Sequence, residues 1–387
     1  MKALSYGHQD INQNDIQAVI EVLESDYLTQ GPVLPEFEES ICKYTEASYA
    51  VAVNSGTSAL HVACLSIGLG KGDWLWTSAI SFVASANCGL YCGAKVDFVD
   101  IDPVTWNISI NKLEEKLTLA KKNNKIPKVL VVVHLSGLSC EMEAIYKLSK
   151  DFGFYVIEDA CHAIGGLYKG RKIGSCVYSD ITVFSFHPVK TITTGEGGMA
   201  TTNDFNLANK MSILRSHGIT RDRSLMTKKP DGIWYYQQIR LGFNYRMTDI
   251  QAALGMSQLS RIDSNIKERH KIIKFYNDNL LNLPIQLPYQ GNEQYTGGHL
   301  YIIRIKNTYE KSLRNHVFQS LIDADINVNI HYIPIHTQPY YKNMGFSFGD
   351  FPEANSYYEE AISLPIFPEL SKKDMEFIVS VVVKALQ

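Results

Sequence analysis

The chain has 387 residues, of which 45% are hydrophobic and 20% charged, and its formal net charge is −3. This length predicts a large domain followed by a smaller one, and the near balance of charge argues against a surface that coats nucleic acid. No run of residues has the length and apolar character of a signal peptide or a membrane span, so we expect a cytoplasmic protein without a membrane partner.

Strands and helices alternate from about residue 49 onward. Apolar runs predict strands over 49–55, 73–80, 95–101, 128–136, 154–160 and 180–184. Helical spacing of apolar residues predicts helices over 57–69, 81–93 and 141–153. Because several of the strands are apolar throughout, they should be buried on both faces of a largely parallel sheet. The pattern therefore indicates an α/β domain.

The rest of the chain has a different pattern. A helix over 206–218, closed by Gly218, precedes a polar and aromatic loop that ends near Arg240, and one long helix is predicted over 247–280. Beyond it, strands over 299–305 and 326–333 mix with helices over 310–324 and 372–386, which is an α+β pattern. We predict a large domain over 1–255, whose residues 1–30 could pack on the small domain, and a small domain over 256–387.

Lys190 is the one lysine in the segment 185–198, and it comes shortly after the predicted strand over 180–184. An amine that is shielded from water at the mouth of a buried strand loses part of its charge and can form a Schiff base. A lysine that serves only solubility is the alternative. The glycines that follow supply flexible backbone, which would let a planar ring lie close.

Small residues over 54–60 connect a predicted strand to a predicted helix. At such a position, backbone N–H groups can bind a phosphate at the positive end of the helix. Gly56 and Thr57 are the candidate contacts, and the hydroxyl of Ser185 could bind the same phosphate. A plain Ser/Thr helix cap explains residues 54–60 equally well.

Two adjacent acids, Glu158 and Asp159, end the strand over 154–160. A carboxylate there can pair with a protonated ring nitrogen, and we assign that role to Asp159, although it could equally cap the next helix. His162 could donate to a ring oxygen or pack in the core. Phe82 follows the strand over 73–80 and could stack on a planar ring or simply pack.

The order of these residues carries more information than any one of them. A phosphate site, a stacking aromatic ring, an aspartate at a strand end and a lysine beyond the next strand are what pyridoxal 5'-phosphate requires. Its aldehyde binds an amine, its phosphate needs an anion site, and its pyridine nitrogen needs an acid partner. The seven cysteines, in contrast, lack the paired spacing of zinc sites, and we expect no metal.

Six motifs, which span nearly the whole chain, resemble those of the DegT-type sugar aminotransferases: "NSGTSALH", "ISFVASAN", "VIEDACHAIG", "SFHPVKTITTGEGG", "LRSHG" and "NYRMTDIQAALGMSQL". The resemblance implies the type I fold of pyridoxal phosphate-dependent transferases, as in aspartate aminotransferase. "DYLTQGP", "LRSHGI" and "HYIPIHTQPYY" add a narrower likeness to the aminotransferases of pseudaminic acid biosynthesis.

The resemblance implies a Schiff base on Lys190, a ring-nitrogen contact from Asp159 and stacking by Phe82. It also implies a homodimer, in which Asn244 reaches the phosphate of the neighbouring subunit. Phosphate contacts would come from Gly56, Thr57 and Ser185. The implied substrate contacts are Tyr6, Asp26, Tyr27, Leu28, Thr29, Gly56, Ser185, Asn244, His331, Tyr332, Ile333 and Pro334. Two residues depart from the family pattern: many relatives have Gln where this chain has His162, and related sequences often have a basic residue where it has Ile333.

The implied reaction transfers the amino group of L-glutamate to a UDP-linked 4-keto-6-deoxy sugar, with the L-altro 2-acetamido sugar as the expected product. A sister enzyme that acts on another nucleotide 4-keto-sugar, such as the D-gluco isomer, is the main alternative. The dehydratases of the family replace the lysine with histidine, whereas this chain keeps Lys190. A nicotinamide dehydrogenase would need a G-x-G-x-x-G turn after a strand, and 68–73 lacks it. A non-catalytic regulator on the same fold is the last alternative.

Overall fold

The computed structural model describes residues 3–306 and 312–387. The helices of this part of the chain are α1 Gln13–Leu23, α2 Val33–Thr45, α3 Gly56–Ile67, α4 Ala84–Tyr91, α5 Ile110–Lys122, α6 Met142–Phe152, α7 Phe205–Arg215, α8 Asp249–Leu259, α9 Ile262–Leu280, α10 Ser312–Asp323, α11 Pro339–Lys342, α12 Pro352–Glu360 and α13 Lys372–Ala385. Over the same ranges, none of these helices combines the length and apolar character needed to cross a membrane.

Within the described ranges, the strands form one large sheet and three small ones. They are β1 Tyr49–Val53, β2 Trp74–Ser78, β3 Lys95–Val99, β4 Val129–Val133, β5 Tyr155–Asp159, β6 Leu167–Tyr168, β7 Arg171–Lys172, β8 Ile181–Ser185, β9 Gly198–Thr202, β10 Ile219–Thr220, β11 Gln237–Gln238, β12 Ile285–Gln286, β13 Gln294–Tyr295, β14 Tyr301–Ile305 and β15 Ala361–Leu364. The six strands expected between residues 49 and 184 are therefore confirmed.

The large sheet has seven strands in the order β1-β9-β8-β5-β4-β2-β3. Strands β3, β2, β4, β5 and β8 pair in parallel, whereas β9 is antiparallel to both of its neighbours, β1 and β8. Strand β1 consequently runs in the same direction as β8 and β5. Because parallel strands end at one edge of a sheet, the chain segments that follow β1, β5 and β8 meet there.

Hydrophobic clusters cover both faces of this sheet. In β4, Val129 and Val131 belong to one cluster, and Leu130 and Val132 belong to the other. This alternation arises because successive side chains of a strand point to opposite faces. The burial of all five β4 residues confirms the expectation of a sheet covered on both sides.

The C-terminal third of the chain has its own sheet, β12-β14-β15, and a third hydrophobic cluster that draws on α9, α10 and α13. The N-terminal segment reaches this region: the N–H of Leu4 donates to the carbonyl of Asp325 over 2.8 Å, and the N–H of Asn327 donates to Leu4 over 2.8 Å. The boundary between residues 255 and 256 remains a prediction. Residues 1–2 of the predicted large domain and residues 310–311 of the predicted helix over 310–324 lie outside the described residues.

Three details of the predicted secondary structure were wrong. The single helix over 247–280 is broken into α8 and α9 at Arg261, whose φ is −116°, and the guanidinium of Arg261 is held by Asp15 over 2.6 Å. The segment 326–333 makes only isolated bridges, at Ile326 and Asn329, and its residues 329–332 line a cavity. Helix α7 ends at Arg215 rather than at Gly218.

Candidate active site

A cavity of about 820 Å³ lies at the edge of the large sheet where β1, β5 and β8 end. Ten of the residues predicted from the sequence line it: Tyr6, Gly56, Thr57, Phe82, Asp159, His162, Ser185, Lys190, His331 and Tyr332. The topology explains this, because segments far apart in the chain follow strands that end side by side.

The turn from β1 into α3 forms an anion site. The Ser55 hydroxyl caps the helix by accepting the N–H of Ser58 over 3.1 Å. The first N–H groups of a helix have no partner within it, so those of Gly56 and Thr57 can bind an anion. Ser185, at the end of β8, closes the site: a Cβ added at Gly56 would lie 2.9 Å from the Ser185 Cβ. The cap and the phosphate site are thus compatible, because they use different N–H groups.

Asp159 is a buried carboxylate on the wall of the cavity, 6% exposed. Its Oδ2 accepts the Ser85 hydroxyl over 2.6 Å, and its Oδ1 accepts the N–H of Cys161 over 3.3 Å. The hydroxyls of Ser81 and Ser85 are 2.6 Å apart, and both side chains are buried. This series of hydrogen bonds, from Ser81 through Ser85, orients the carboxylate of Asp159. Ser85 was missed by sequence reasoning, since only the folded chain brings α4 to β5.

Glu158, the neighbouring acid, has a different environment. It is buried beside His134, whose Nε2 lies 2.7 Å from the Glu158 Oε2, and it accepts the hydroxyls of Ser179 and Thr182. Successive residues of a strand face opposite sides, so Glu158 points away from the cavity that Asp159 lines. The structure therefore shows that Asp159, and not Glu158, lines the cavity, which the sequence alone did not establish.

Lys190 lies in the turn after β8, with its backbone N–H donating to the carbonyl of His187 over 2.9 Å. Its side chain lines the cavity with Asp159 and Cys161. Burial lowers the pKa of the Lys190 amine, and Cys161 and Asp159 oppose this only in part. A lowered pKa increases the fraction of neutral amine, which is the form that attacks a carbonyl.

His162 pairs with Tyr332 across the cavity, where its Nε2 lies 2.9 Å from the tyrosine hydroxyl. Burial and the nearby Lys190 hold the pKa of His162 well below its ordinary value, so the ring is neutral at pH 7. Its Nδ1 is buried and has no hydrogen-bond partner in the described part of the chain. His299, which sequence reasoning missed, packs on this ring with centroids 4.5 Å apart.

His331 lies on the same wall of the cavity and is buried. Its Nδ1 is 2.8 Å from the hydroxyl of Ser363, and burial together with Lys190 lowers its pKa to about 4. Burial, and to a smaller degree Asp159, raises the pKa of Tyr332 well above its ordinary value. At neutral pH these two side chains are therefore uncharged hydrogen-bonding groups.

The other predicted site residues lie outside the wall of this cavity. Asn244 is exposed, and its backbone bridges to Ser216. Ile333 is exposed and Pro334 is buried. The predicted substrate residues of the N-terminal region, all exposed, are Asp26, Tyr27, Leu28 and Thr29. The roles of all these residues remain predictions.

The residues of the cavity fit pyridoxal phosphate. An anion site formed by a helix N-terminus and a hydroxyl, a buried carboxylate, and a lysine of lowered pKa line one space, with Phe82 beside them. The glycine at position 56 is required by this arrangement, because a side chain there would contact Ser185 where a phosphate would bind. His187 also lines the cavity.

The profile of the DegT/DnrJ/EryC1/StrS aminotransferase family matches residues 9–383. The chain is 36% identical, over 97% of its length and 95% of the relative, to a Campylobacter jejuni protein named UDP-4-amino-4,6-dideoxy-N-acetyl-beta-L-altrosamine transaminase. Among solved structures, the chain is similar to Helicobacter pylori PseC, with a TM-score of 0.91 and 31% identity over 100% of this chain and 99% of that one. PseC is described as an aminotransferase involved in the biosynthesis of pseudoaminic acid.

The PLP form of the putative sugar aminotransferase Spr1654 from Streptococcus pneumoniae is similar with a TM-score of 0.88 and 29% identity, over the full length of both chains. These matches confirm the type I fold and the cofactor that the residues predicted. The chain belongs to the DegT/DnrJ/EryC1/StrS aminotransferase family and is a pyridoxal phosphate-dependent sugar aminotransferase.

Proposed function

We propose that this enzyme transfers the amino group of L-glutamate to C4 of UDP-2-acetamido-2,6-dideoxy-β-L-arabino-hexos-4-ulose. The product would be UDP-4-amino-4,6-dideoxy-N-acetyl-β-L-altrosamine, a precursor of pseudaminic acid, which modifies flagellins or surface glycans. The observation that carries the proposal is the cavity in which Lys190, Asp159 and the Gly56 anion site meet. The named Campylobacter relative, similar over 97% of the chain, supports the choice of substrate.

We further propose that the cofactor phosphate binds the N–H groups of Gly56 and Thr57 and the hydroxyl of Ser185. Asp159 would hold a proton on the ring nitrogen, and Phe82, which is 57% exposed beside the cavity, would stack on the ring. Because Ser85 already donates to one oxygen of Asp159 over 2.6 Å, the carboxylate is kept in a fixed orientation. The neutral His162 would contact the ring oxygen.

Pyridoxal phosphate, when bound, supplies an aldehyde for amine exchange and a ring that withdraws electrons from the reacting carbon. The proton transfers are left to the protein. Lys190 lines the cavity, and burial favours its neutral form. Its amine would therefore accept a proton from the α-carbon of glutamate and deliver it to the aldehyde carbon of the cofactor. The lowered pKa of His162 makes it a weaker base than usual, and the raised pKa of Tyr332 makes it a weaker acid, which favours Lys190 for this role.

A homodimer that works in the cytoplasm is part of the proposal. Asn244 is exposed and lies outside the cavity of its own subunit, as expected of a residue that serves a neighbour's site. The loop between α7 and α8 also exposes large apolar side chains: Ile233 is 98% exposed, Trp234 71% and Leu241 81%. Apolar groups exposed together commonly mark an interface.

The proposal is tested by the rate of amino transfer to a panel of nucleotide 4-keto-sugars. Purified enzyme loaded with pyridoxal phosphate would be given 15N-labelled L-glutamate and each keto-sugar, and the amino sugar would be quantified by mass spectrometry. We expect the highest kcat/KM for the β-L-arabino 4-keto-sugar. A higher value for any other keto-sugar would overturn the assignment of the substrate.

The D-gluco 4-keto isomer is the alternative substrate, since it differs only in ring stereochemistry and the motifs define the cofactor site better than the sugar site. A preference for this isomer would leave the aminotransferase chemistry intact and move the enzyme to another pathway. A non-catalytic regulator would bind the cofactor and transfer no 15N to any sugar. A Lys190→Ala variant provides the negative control, since it lacks the amine that both half-reactions need.

A further inference from the structure

Asp249, the first residue of α8, is fully buried and binds a different part of the chain. Its Oδ1 accepts the N–H of Gly31 over 3.1 Å, and its Oδ2 accepts the N–H of Val33 over 3.1 Å. Its own N–H donates to the carbonyl of Leu28 over 3.0 Å. Asp249 thus makes three hydrogen bonds, which hold residues 28, 31 and 33 of the loop over 26–33.

The loop lies so close to Asp249 that Gly31 has no room for a side chain. An added Cβ would be 2.5 Å from the Oδ2 of Asp249 and 2.5 Å from the Cβ of Tyr27. The φ angle of Gly31 lies outside the left-handed region, so the glycine serves this close approach and not an unusual backbone conformation. The packing therefore places Tyr27 in a defined position relative to α8.

The same end of α8 also holds the wall of the cavity. Gln251 donates from its Nε2 to the carbonyl of Glu196 over 2.7 Å, and Glu196 lines the same cavity as Lys190. The residues just before α8 join it to the anion site, because the N–H of Asn54 donates to the carbonyl of Tyr245 over 2.8 Å. The start of α8 thus links the loop over 26–33 to the cofactor cavity through direct hydrogen bonds.

The side chains that this loop presents are suited to a nucleotide. Tyr27 is 55% exposed and Leu28 is 48% exposed, and they stand next to the polar side chains of Asp26, Thr29 and Gln30. An exposed aromatic ring among hydrogen-bonding groups can stack on a nucleotide base. The anion site at Gly56 belongs to the cofactor, so the nucleotide requires contacts of its own.

We propose that Asp249 is a positioning residue for the sugar substrate. Its carboxylate holds the loop over 26–33 so that Tyr27 and its neighbours bind the uridine diphosphate moiety. This inference rests on the proposed function. Asp249 itself touches neither cofactor nor substrate. It acts by keeping the loop in one conformation before binding, which lowers the entropy that binding would otherwise cost.

The test compares Asp249→Asn with wild type. The amide keeps the size of the side chain but offers one acceptor oxygen in place of two. We expect the dissociation constant of UDP, measured by calorimetry on the cofactor-loaded enzyme, to rise about tenfold because the two hydrogen bonds that order the loop are weakened. The bleaching of the cofactor band by L-glutamate should be unchanged, since Asp249 lies outside the cavity wall.

A matched control separates positioning from general stability. Asp204→Ala removes the side chain that caps α7, whose carboxylate accepts the N–H groups of Asn206 and Leu207. It should lower the melting temperature without changing UDP affinity. Gly31→Ala tests the loop from the other side and leaves Asp249 intact, and it should weaken UDP binding as well.

Hydrogen exchange of the amides of residues 26–33 makes the inference testable without any sugar substrate. We expect faster exchange there in Asp249→Asn than in wild type, with the 195–198 amides unaffected. Equal exchange and equal UDP affinity in the two proteins would overturn the inference while leaving the aminotransferase proposal standing. If the wild-type enzyme does not bind UDP, the UDP-sugar proposal fails, and the assignment of this loop to the UDP moiety fails with it. Hydrogen exchange would then still test whether Asp249 orders the loop.

Discussion

Replacing Asp15 with Asn should destabilise the enzyme by an amount that depends on pH. Asp15 is 1% exposed and joins α1 to α8. Its carboxylate accepts two hydrogen bonds from Arg261, over 2.8 and 2.6 Å, and others from Ser257 and Gln258. Burial by itself raises the pKa of Asp15, but the bonds from Arg261 and Ser257 outweigh it and lower the pKa to about 2.

The size of the effect follows from the pKa difference between the folded and unfolded states. A shift from the ordinary 3.8 to about 2 means that the folded protein favours the charged carboxylate by roughly 2.4 kcal/mol. This contribution is complete above pH 5 and is lost as the pH falls below 4 toward 2, because the unfolded chain then binds the proton first. At pH 3 about half of it, roughly 1.3 kcal/mol, should remain.

The assay is urea unfolding of wild type and Asp15→Asn at pH 7, 5 and 3. Asn resembles the protonated acid in shape and charge, so the variant should be less stable by about 2.4 kcal/mol at pH 7 and 5 and by about half that at pH 3. Asp278→Asn, which removes an exposed pair with Lys274, is the control and should change stability by less than about 0.5 kcal/mol. A loss at pH 7 that persists unchanged at pH 3 would refute the reasoning.

Three further predictions concern the site and its surroundings. Gly56→Ala should weaken cofactor binding about tenfold, measured by spectroscopic titration, because its Cβ would crowd Ser185, whereas Gly70→Ala, where the space is open, should have no effect. His331 has a pKa of about 4 in the folded state, so the folded state binds fewer protons than the unfolded state between pH 6.5 and 4. The wild-type protein should therefore lose stability as the pH falls through this range, and His331→Asn should reduce that loss by up to about 3 kcal/mol. Urea unfolding of both proteins at pH 6.5 and pH 4 measures the difference. Iodoacetamide at pH 7 should modify Cys92 first, as peptide mass spectrometry would show, because its neighbours Cys64 and His61 lower its pKa. Earlier reaction of another cysteine would contradict this.

Much of the fold was predictable because it depends on local patterns. The apolar run of β4 has no polar face, which indicates a buried parallel strand, and the structure shows all five of its residues buried. The meeting of Gly56, Asp159, Ser185 and Lys190 followed from a rule of topology, since each comes at or after the end of a strand and those ends meet at one edge of the sheet.

Other features depend on contacts between distant segments, and no local pattern carries them. The break between α8 and α9 interrupts a continuous helical pattern at Arg261, which binds Asp15 from α1, 246 residues earlier in the chain. Ser85 and His299 belong to the site only because α4 and the segment before β14 fold against β5 and His162. The segment 326–333 has the composition of a strand, yet the structure uses it to line the cavity.

The most direct test of the central claim is the visible absorption spectrum of the purified enzyme, loaded with pyridoxal phosphate, before and after additions of L-glutamate and then the UDP-4-keto-sugar. We predict a cofactor band that L-glutamate bleaches and the keto-sugar restores, and we predict that Lys190→Ala lacks this response. A band that glutamate leaves unchanged in wild type, or a Lys190→Ala protein that cycles as fast as wild type, would contradict the assignment of this cavity as an aminotransferase site built around Lys190.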